Sequence, residues 1–162
     1  VTWDEYFKKI EDLAKIIHSD GWSFNQVVCI AKGGMYIGDI ISRIYDVPLA
    51  ILSAESYKGE SVKNKRGGIT FSRDLTKTTP NLGSKVLIID DLADSGITLE
   101  KSVEWLQRYY GFYFSEPDKT GVLFYKSVSN FVPNYYVDFL KDSPWIHMPY
   151  EKYESIRPND LS

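Results

Sequence analysis

The chain has 162 residues, 43% of them apolar and 25% charged, with a formal net charge of −3. That length suits one domain around one sizeable core. The slight acidity and the lack of a basic run argue against nucleic acid as a partner, and no apolar stretch approaches a membrane span. The start has no signal-peptide pattern, and the single cysteine, Cys29, lies in the apolar run Val27–Ala31 with no histidine beside it. Both features predict a reducing, cytoplasmic setting with a small buried thiol rather than a catalytic one.

Thr2 followed by Glu5 forms a capping-box pattern, and Tyr6, Ile10, Leu13, Ala14 and Ile17 recur at helical spacing before Gly21. This predicts an amphipathic helix over 3–19. Gln26–Ala31 predicts a buried strand, Lys32-Gly33-Gly34 a turn, and Met35–Tyr45 a helix with Ile37, Ile40, Ile41 and Ile44 as its apolar positions. Val47–Ala54 is the next strand, and the order strand–helix–strand implies a right-handed parallel crossover. Residues 55–68 are mainly polar and predict a mobile excursion. Ile69–Leu75 returns as a strand, and a turn with Pro80 and Gly83 leads to Val86–Ile89, a run that reads as a strand buried on both faces. A helix over Leu99–Tyr109 and a strand over 119–125, ending on Lys126, follow. In the tail, 127–162, aromatics alternate with Pro133, Pro144, Pro149 and Pro158, which predicts short strands and loops capping the sheet. The pattern is that of an α/β fold with a mainly parallel twisted sheet flanked by helices.

The most informative segment follows the Val86 strand: Asp90-Asp91-Leu92-Ala93-Asp94-Ser95-Gly96-Ile97-Thr98. A strand that ends in carboxylates puts negative charge at the carboxyl edge of a parallel sheet, where open α/β folds bind ligands. A turn with Gly96 and the hydroxyls of Ser95 and Thr98, opening a helix, aims backbone N–H groups at a phosphate. One aspartate would serve to cap that helix, and three exceed the need. Ile30-Ala31-Lys32-Gly33-Gly34 makes a second anion-binding turn, or equally a plain strand-to-helix turn with a surface lysine.

The acidic segment resembles the phosphoribosyl-pyrophosphate (PRPP) signature of the type I phosphoribosyltransferases, in which two acidic residues precede an acidic-Thr/Ser-Gly-x-Thr loop. Lys126 and the tail Trp145-Ile146…Pro149-Tyr150-Glu151 extend the likeness to the purine members of that family from bacteria and archaea, the xanthine-guanine and hypoxanthine-guanine enzymes. The resemblance implies a Rossmann-like core over about 22–126, a lid loop over 55–73 and a small C-terminal hood over 127–162. It implies transfer of the 5-phosphoribosyl group from PRPP to guanine, hypoxanthine or xanthine in purine salvage.

The same resemblance assigns roles. Ala93, Asp94, Ser95, Gly96, Ile97 and Thr98 hold the 5′-phosphate. Asp90 and Asp91 hold the ribose hydroxyls, directly or through Mg²⁺. Lys32 and Gly33 face the pyrophosphate, with a cis peptide at Lys32–Gly33. Ser56, Tyr57 and Arg73 belong to the lid. Asp94 is the general base, Lys126 donates to the C6 oxygen, Trp145 stacks on the purine, and Ile146 supplies a backbone group. Tyr150 departs from the tryptophan usual in the xanthine-guanine tail, and the insert around Phe112–Lys119 is long for the family. Of the chain's 4 Trp, 12 Tyr and 8 Phe, the C-terminal third carries more than one small core needs, an excess that suits a base-stacking pocket, a subunit interface or both; with the family it points to a homodimer or homotetramer. Phosphoribosyl transfer to another base, or a PRPP-sensing regulator of the same fold, remain alternatives.

Overall fold

A computed structural model describes residues 1–56 and 68–161. Helix α1 spans Trp3–Asp20. It opens on the capping box: Thr2 Oγ1 accepts the Glu5 N–H at 3.1 Å, and Glu5 Oε1 accepts the Thr2 N–H at 2.9 Å. Two amides at the helix start are thereby satisfied. Gly21 closes the helix in the left-handed region, its N–H bonded to the His18 carbonyl.

The strands are β1 (Gln26–Ala31), β2 (Leu49–Ser56), β3 (Ile69–Phe71), β4 (Val86–Ile89), β5 (Leu92–Ala93), β6 (Lys119–Lys126) and β7 (Tyr135–Leu140). They form one sheet in which β3, β2, β1, β4 and β6 are successive neighbours, and β6 also pairs with β5 and β7. Every pairing is parallel except that of β2 with β3. The remaining α-helices are α2 (Met35–Tyr45) and α3 (Ile97–Tyr110).

The two apolar strands bury both faces, as their unbroken hydrophobicity requires. Val27, Leu87 and Ile89 pack with Tyr6, Ile10, Leu13 and Ile17 of α1 and Ile37 and Ile41 of α2. Val28, Ile30, Val86 and Ile88 pack on the opposite face with Leu99 and Leu106 of α3. Each such fully buried side chain contributes about 2 kcal/mol of transfer free energy. Cys29 is buried in this layer, and burial pushes its thiol up to about 12, so it is an inert core residue. No helix among the described residues is long and apolar enough to cross a membrane.

Three elements depart from the sequence expectation. β2 begins at Leu49 instead of Val47 because Pro48 has no amide for the ladder; its carbonyl accepts the Val27 N–H instead. β3 stops at Phe71; beyond it Ser72 N–H still donates to the Ser53 carbonyl at 2.9 Å, and Thr76, just past the expected segment, bridges Ile51. The tail does not merely cap the sheet: Tyr135–Leu140 joins it in parallel beside β6, with Tyr135 opposite Gly121 and Leu140 opposite Lys126.

Asp118, between α3 and β6, is half-buried, and its Oδ2 lacks a hydrogen-bond partner. Burial raises its carboxyl from 3.8 to about 6. The folded-state value lies above the unfolded one, so the cost of ionising it grows between those two pH values and is complete above the higher. Asp118→Asn is expected to stabilise the fold by about 1 kcal/mol at pH 8, discounted for partial exposure, and to change nothing near pH 4. Thermal melts at the two pH values check this, with a rise of roughly 2–4 °C at the alkaline one.

Candidate active site

β1 and β4 lie side by side, but the helix after β1 packs on one face of the sheet and the helix after β4 on the other. The chain therefore diverges from their carboxyl ends and leaves a crevice at this switch point. A cleft of about 1040 Å³ opens there, and Lys32, Gly33, Asp90, Asp91, Thr98 and Tyr150 are among its walls.

The turn after β1 closes tightly, with Gly34 N–H on the Ile30 carbonyl at 2.8 Å and Met35 N–H on the Lys32 carbonyl at 3.0 Å. The cis peptide lies at Ala31–Lys32, not at Lys32–Gly33 as the resemblance implied. Ala31 pairs with Ser53 as the last residue of β1, where the sequence placed the strand's end. At Gly33 a Cβ would lie 2.6 Å from Asp91 Oδ2, so a side chain there would have to displace that carboxylate.

Asp90 and Asp91 differ sharply in environment. Asp90 is only 7% exposed, and its Oδ1 accepts the Asp91 N–H at 2.8 Å. Burial, and then the charge of Asp91, hold its carboxyl well above the usual carboxylate range. Asp91 is half-buried. Its Oδ2 accepts the Tyr150 hydroxyl, and its carbonyl accepts the N–H groups of Leu123 and Phe124. The pair is thus tied to β6 through the backbone. The short strand β5 follows directly and holds the chain against Phe124 and Tyr125.

The loop into α3 is braced by the segment after β6. Gly96 has φ +86°, and a Cβ on it would meet Ser129 Oγ at 2.5 Å and the Phe131 nitrogen at 2.7 Å. Asn130 N–H donates to the Ser95 carbonyl at 2.9 Å, and Ser95 Oγ accepts the Ile97 N–H at 3.3 Å. Gly96 gives α3 no side-chain cap, and of residues 93–98 Thr98 is the one among the cleft's walls.

Lys126 ends β6 almost fully buried, and its ammonium lies 3.3 Å from Asp94 Oδ2, whose side chain is 55% exposed. The two residues that the resemblance made catalytic are therefore direct neighbours, on the loop between Leu92 and Thr98 and the strand beside it. Trp145 and Ile146 are not among the residues lining the cleft. Trp145 is 75% exposed with its ring 6.0 Å from that of His147, while Ile146 packs against the core on the α1 and α2 face. Arg73 is exposed just beyond β3. Ser56 closes β2, and Tyr57 lies outside the described residues.

Tyr36 lines the cleft without having been singled out from sequence, and so does Tyr150, noted there only as a departure from the family's tryptophan. The Pro-aromatic-acidic pattern of the tail marks the place of Tyr150, but nothing local tells that its hydroxyl reaches a residue 59 positions away. For a metal, the donor set fits a hard divalent cation. It offers two adjacent carboxylates and, among the described residues, no cluster of three His, Cys, Asp or Glu side chains. Mg²⁺ is commonly held so, by one or two carboxylates with substrate oxygens and water completing its shell.

Residues 2–155 match the model of the phosphoribosyl transferase domain family. A xanthine-guanine phosphoribosyltransferase of Nitratidesulfovibrio vulgaris is 28% identical over 119 residues, covering 72% of this chain and 68% of that one. One of Roseobacter denitrificans is 28% identical over 107 residues; there the match spans 62% of this chain and 60%, less than two thirds, of that protein. The crystal structure of a purine phosphoribosyltransferase from Pyrococcus horikoshii Ot3 superposes with a TM-score of 0.72 at 24% identity, covering 93% of this chain and 91% of that one. With an acidic strand end, a phosphate-type loop and a glycine turn converging on one crevice, and a family match running nearly end to end, this chain belongs to the phosphoribosyl transferase domain family.

Proposed function

We propose that the protein transfers the 5-phosphoribosyl group of PRPP to a nitrogen of a 6-oxopurine, guanine, hypoxanthine or xanthine, giving the nucleoside 5′-monophosphate and pyrophosphate. The observation that carries this reading is the convergence of Asp90, Asp91, Thr98 and the Lys32-Gly33 turn on one cleft, with the Asp94–Lys126 pair on the adjoining loop and strand. The purine-acting names of the relatives support the choice of base.

In the reaction the C1′–O bond to pyrophosphate breaks as the bond from C1′ to the purine nitrogen forms. Positive charge grows on the sugar and negative charge on the leaving group, so catalysis is electrostatic and positional. Main-chain amides of 93–98 and the Thr98 hydroxyl hold the 5′-phosphate. Asp90 and Asp91 hold the ribose hydroxyls. Lys32 and Gly33 stabilise the pyrophosphate, and the lid residues Ser56, Tyr57 and Arg73 exclude water from the cationic sugar. Asp94 accepts the proton from purine N7. Lys126 has three donors, so it can keep one on Asp94 and offer another to the C6 oxygen. Trp145 presents an exposed ring face for stacking, next to the backbone of Ile146. Asp90 and Asp91 would hold Mg²⁺, which when bound would supply charge neutralisation at the pyrophosphate.

Pyrophosphate release, measured with PRPP, Mg²⁺ and each free base in turn, tests the assignment. Release is expected with at least one of the three 6-oxopurines. Release with adenine or a pyrimidine alone, or with no base at all, overturns it. The glycine turn has its own test. In Gly33→Ala the new methyl must displace the Asp91 carboxylate or the turn itself, and overpacking of this kind weakens PRPP binding by about tenfold or more. Calorimetric titration with PRPP and Mg²⁺ reads the change.

A further inference from the structure

The carboxylate of Asp91 is gripped from two sides. On one lies the Lys32-Gly33 turn, close enough that a Cβ at Gly33 would lie 2.6 Å from Oδ2 and push the carboxylate aside. On the other, the Tyr150 hydroxyl donates to Oδ2. Tyr150 comes from the tail and is itself held by aromatic rings from the start of the chain. Tyr36 stacks on it at 5.9 Å and 23°, Tyr6 meets it edge-on at 5.7 Å and 83°, and Trp3 lies 6.4 Å away. Three rings pack around the phenol and restrict it, and its hydroxyl donates to one oxygen of Asp91.

An aspartate side chain otherwise turns readily about its last torsion, which is broad and nearly two-fold. A charge-assisted bond to one oxygen selects a single orientation of the carboxylate. It also places a partial positive charge beside two adjacent acids that repel one another. We propose that Tyr150 is a positioning residue. By holding Oδ2 of Asp91, it presents Oδ1 to the sugar-phosphate donor and to the divalent cation that accompanies it. The inference rests on the proposed function, because it assigns Tyr150 to the donor side of that site and not to the base side.

Tyr6 supplies an internal control. It is fully buried in the same aromatic cluster, and its hydroxyl has no hydrogen-bond partner. Removing that hydroxyl changes the cluster without removing a donor to Asp91.

The test compares the full-length protein with Tyr150→Phe and Tyr6→Phe by calorimetric titration with PRPP and Mg²⁺, alongside steady-state kinetics and thermal melts. Loss of one hydrogen bond to a charged group is expected to raise the PRPP dissociation constant of Tyr150→Phe about tenfold. The KM for purine, and kcat at saturating PRPP, should stay within about threefold. Tyr6→Phe should bind PRPP like the wild type. PRPP affinity unchanged in Tyr150→Phe, while the wild type binds and turns over, overturns the inference alone. So does an equal loss in Tyr6→Phe, or a matching rise in purine KM, since either would make Tyr150 a wall of the cavity. A wild type that does not bind PRPP overturns both the proposed function and this inference.

Discussion

Asp94→Asn is expected to lower kcat by about 10²-fold or more, the range typical of losing a general base, while PRPP affinity stays within about threefold of the wild type. The asparagine keeps the shape of the side chain and can still meet the Lys126 ammonium through its amide oxygen. It cannot take a proton from the purine. Asp94 is half-exposed, and the groups proposed to hold the phosphate, the main-chain amides of 93–98 and the Thr98 hydroxyl, are left alone by the substitution. Direct titration with PRPP and single-turnover rates separate binding from chemistry. Full activity in the variant would remove Asp94 from the mechanism.

Lys126→Gln is the second large effect, and it should be selective. The kcat/KM for purine is expected to fall by about 10²-fold, the scale seen when one preorganised donor to a developing negative charge is removed, with PRPP affinity nearly unchanged. Stability should hardly suffer. Lys126 is the buried partner, 5% exposed at its side chain against 55% for Asp94. Removing the lysine leaves a carboxylate in water and not a stranded interior charge. Because the two side chains touch, the double variant Asp94→Asn/Lys126→Gln should fall well short of the product of the single effects. If Lys126→Gln weakened PRPP binding as much as purine use, Lys126 would belong to the sugar-phosphate side of the site.

What the sequence decided by itself was whatever rests on neighbours along the chain. The Thr2–Glu5 box and the Tyr6-to-Ile17 periodicity determine α1, because capping and helical spacing act within a few residues. The apolar runs of β1 and β4 declare strands buried on both faces. Asp90, Asp91, Gly96 and Thr98 lie within nine consecutive residues, so the family resemblance could be read without coordinates. β5 was invisible, since two residues carry no period of their own and depend on Phe124 and Tyr125 for partners. β7 mixes aromatic with acidic residues, and only its place beside β6 makes it a strand.

The tertiary structure alone decided which distant groups meet. It set Lys126 against Asp94, left Trp145 in solvent, and drew Tyr150 across 59 positions onto Asp91. Such contacts follow from sheet register and from the order in which helices cross to opposite faces. Those are properties of the whole packed chain, and no local stretch of residues encodes them.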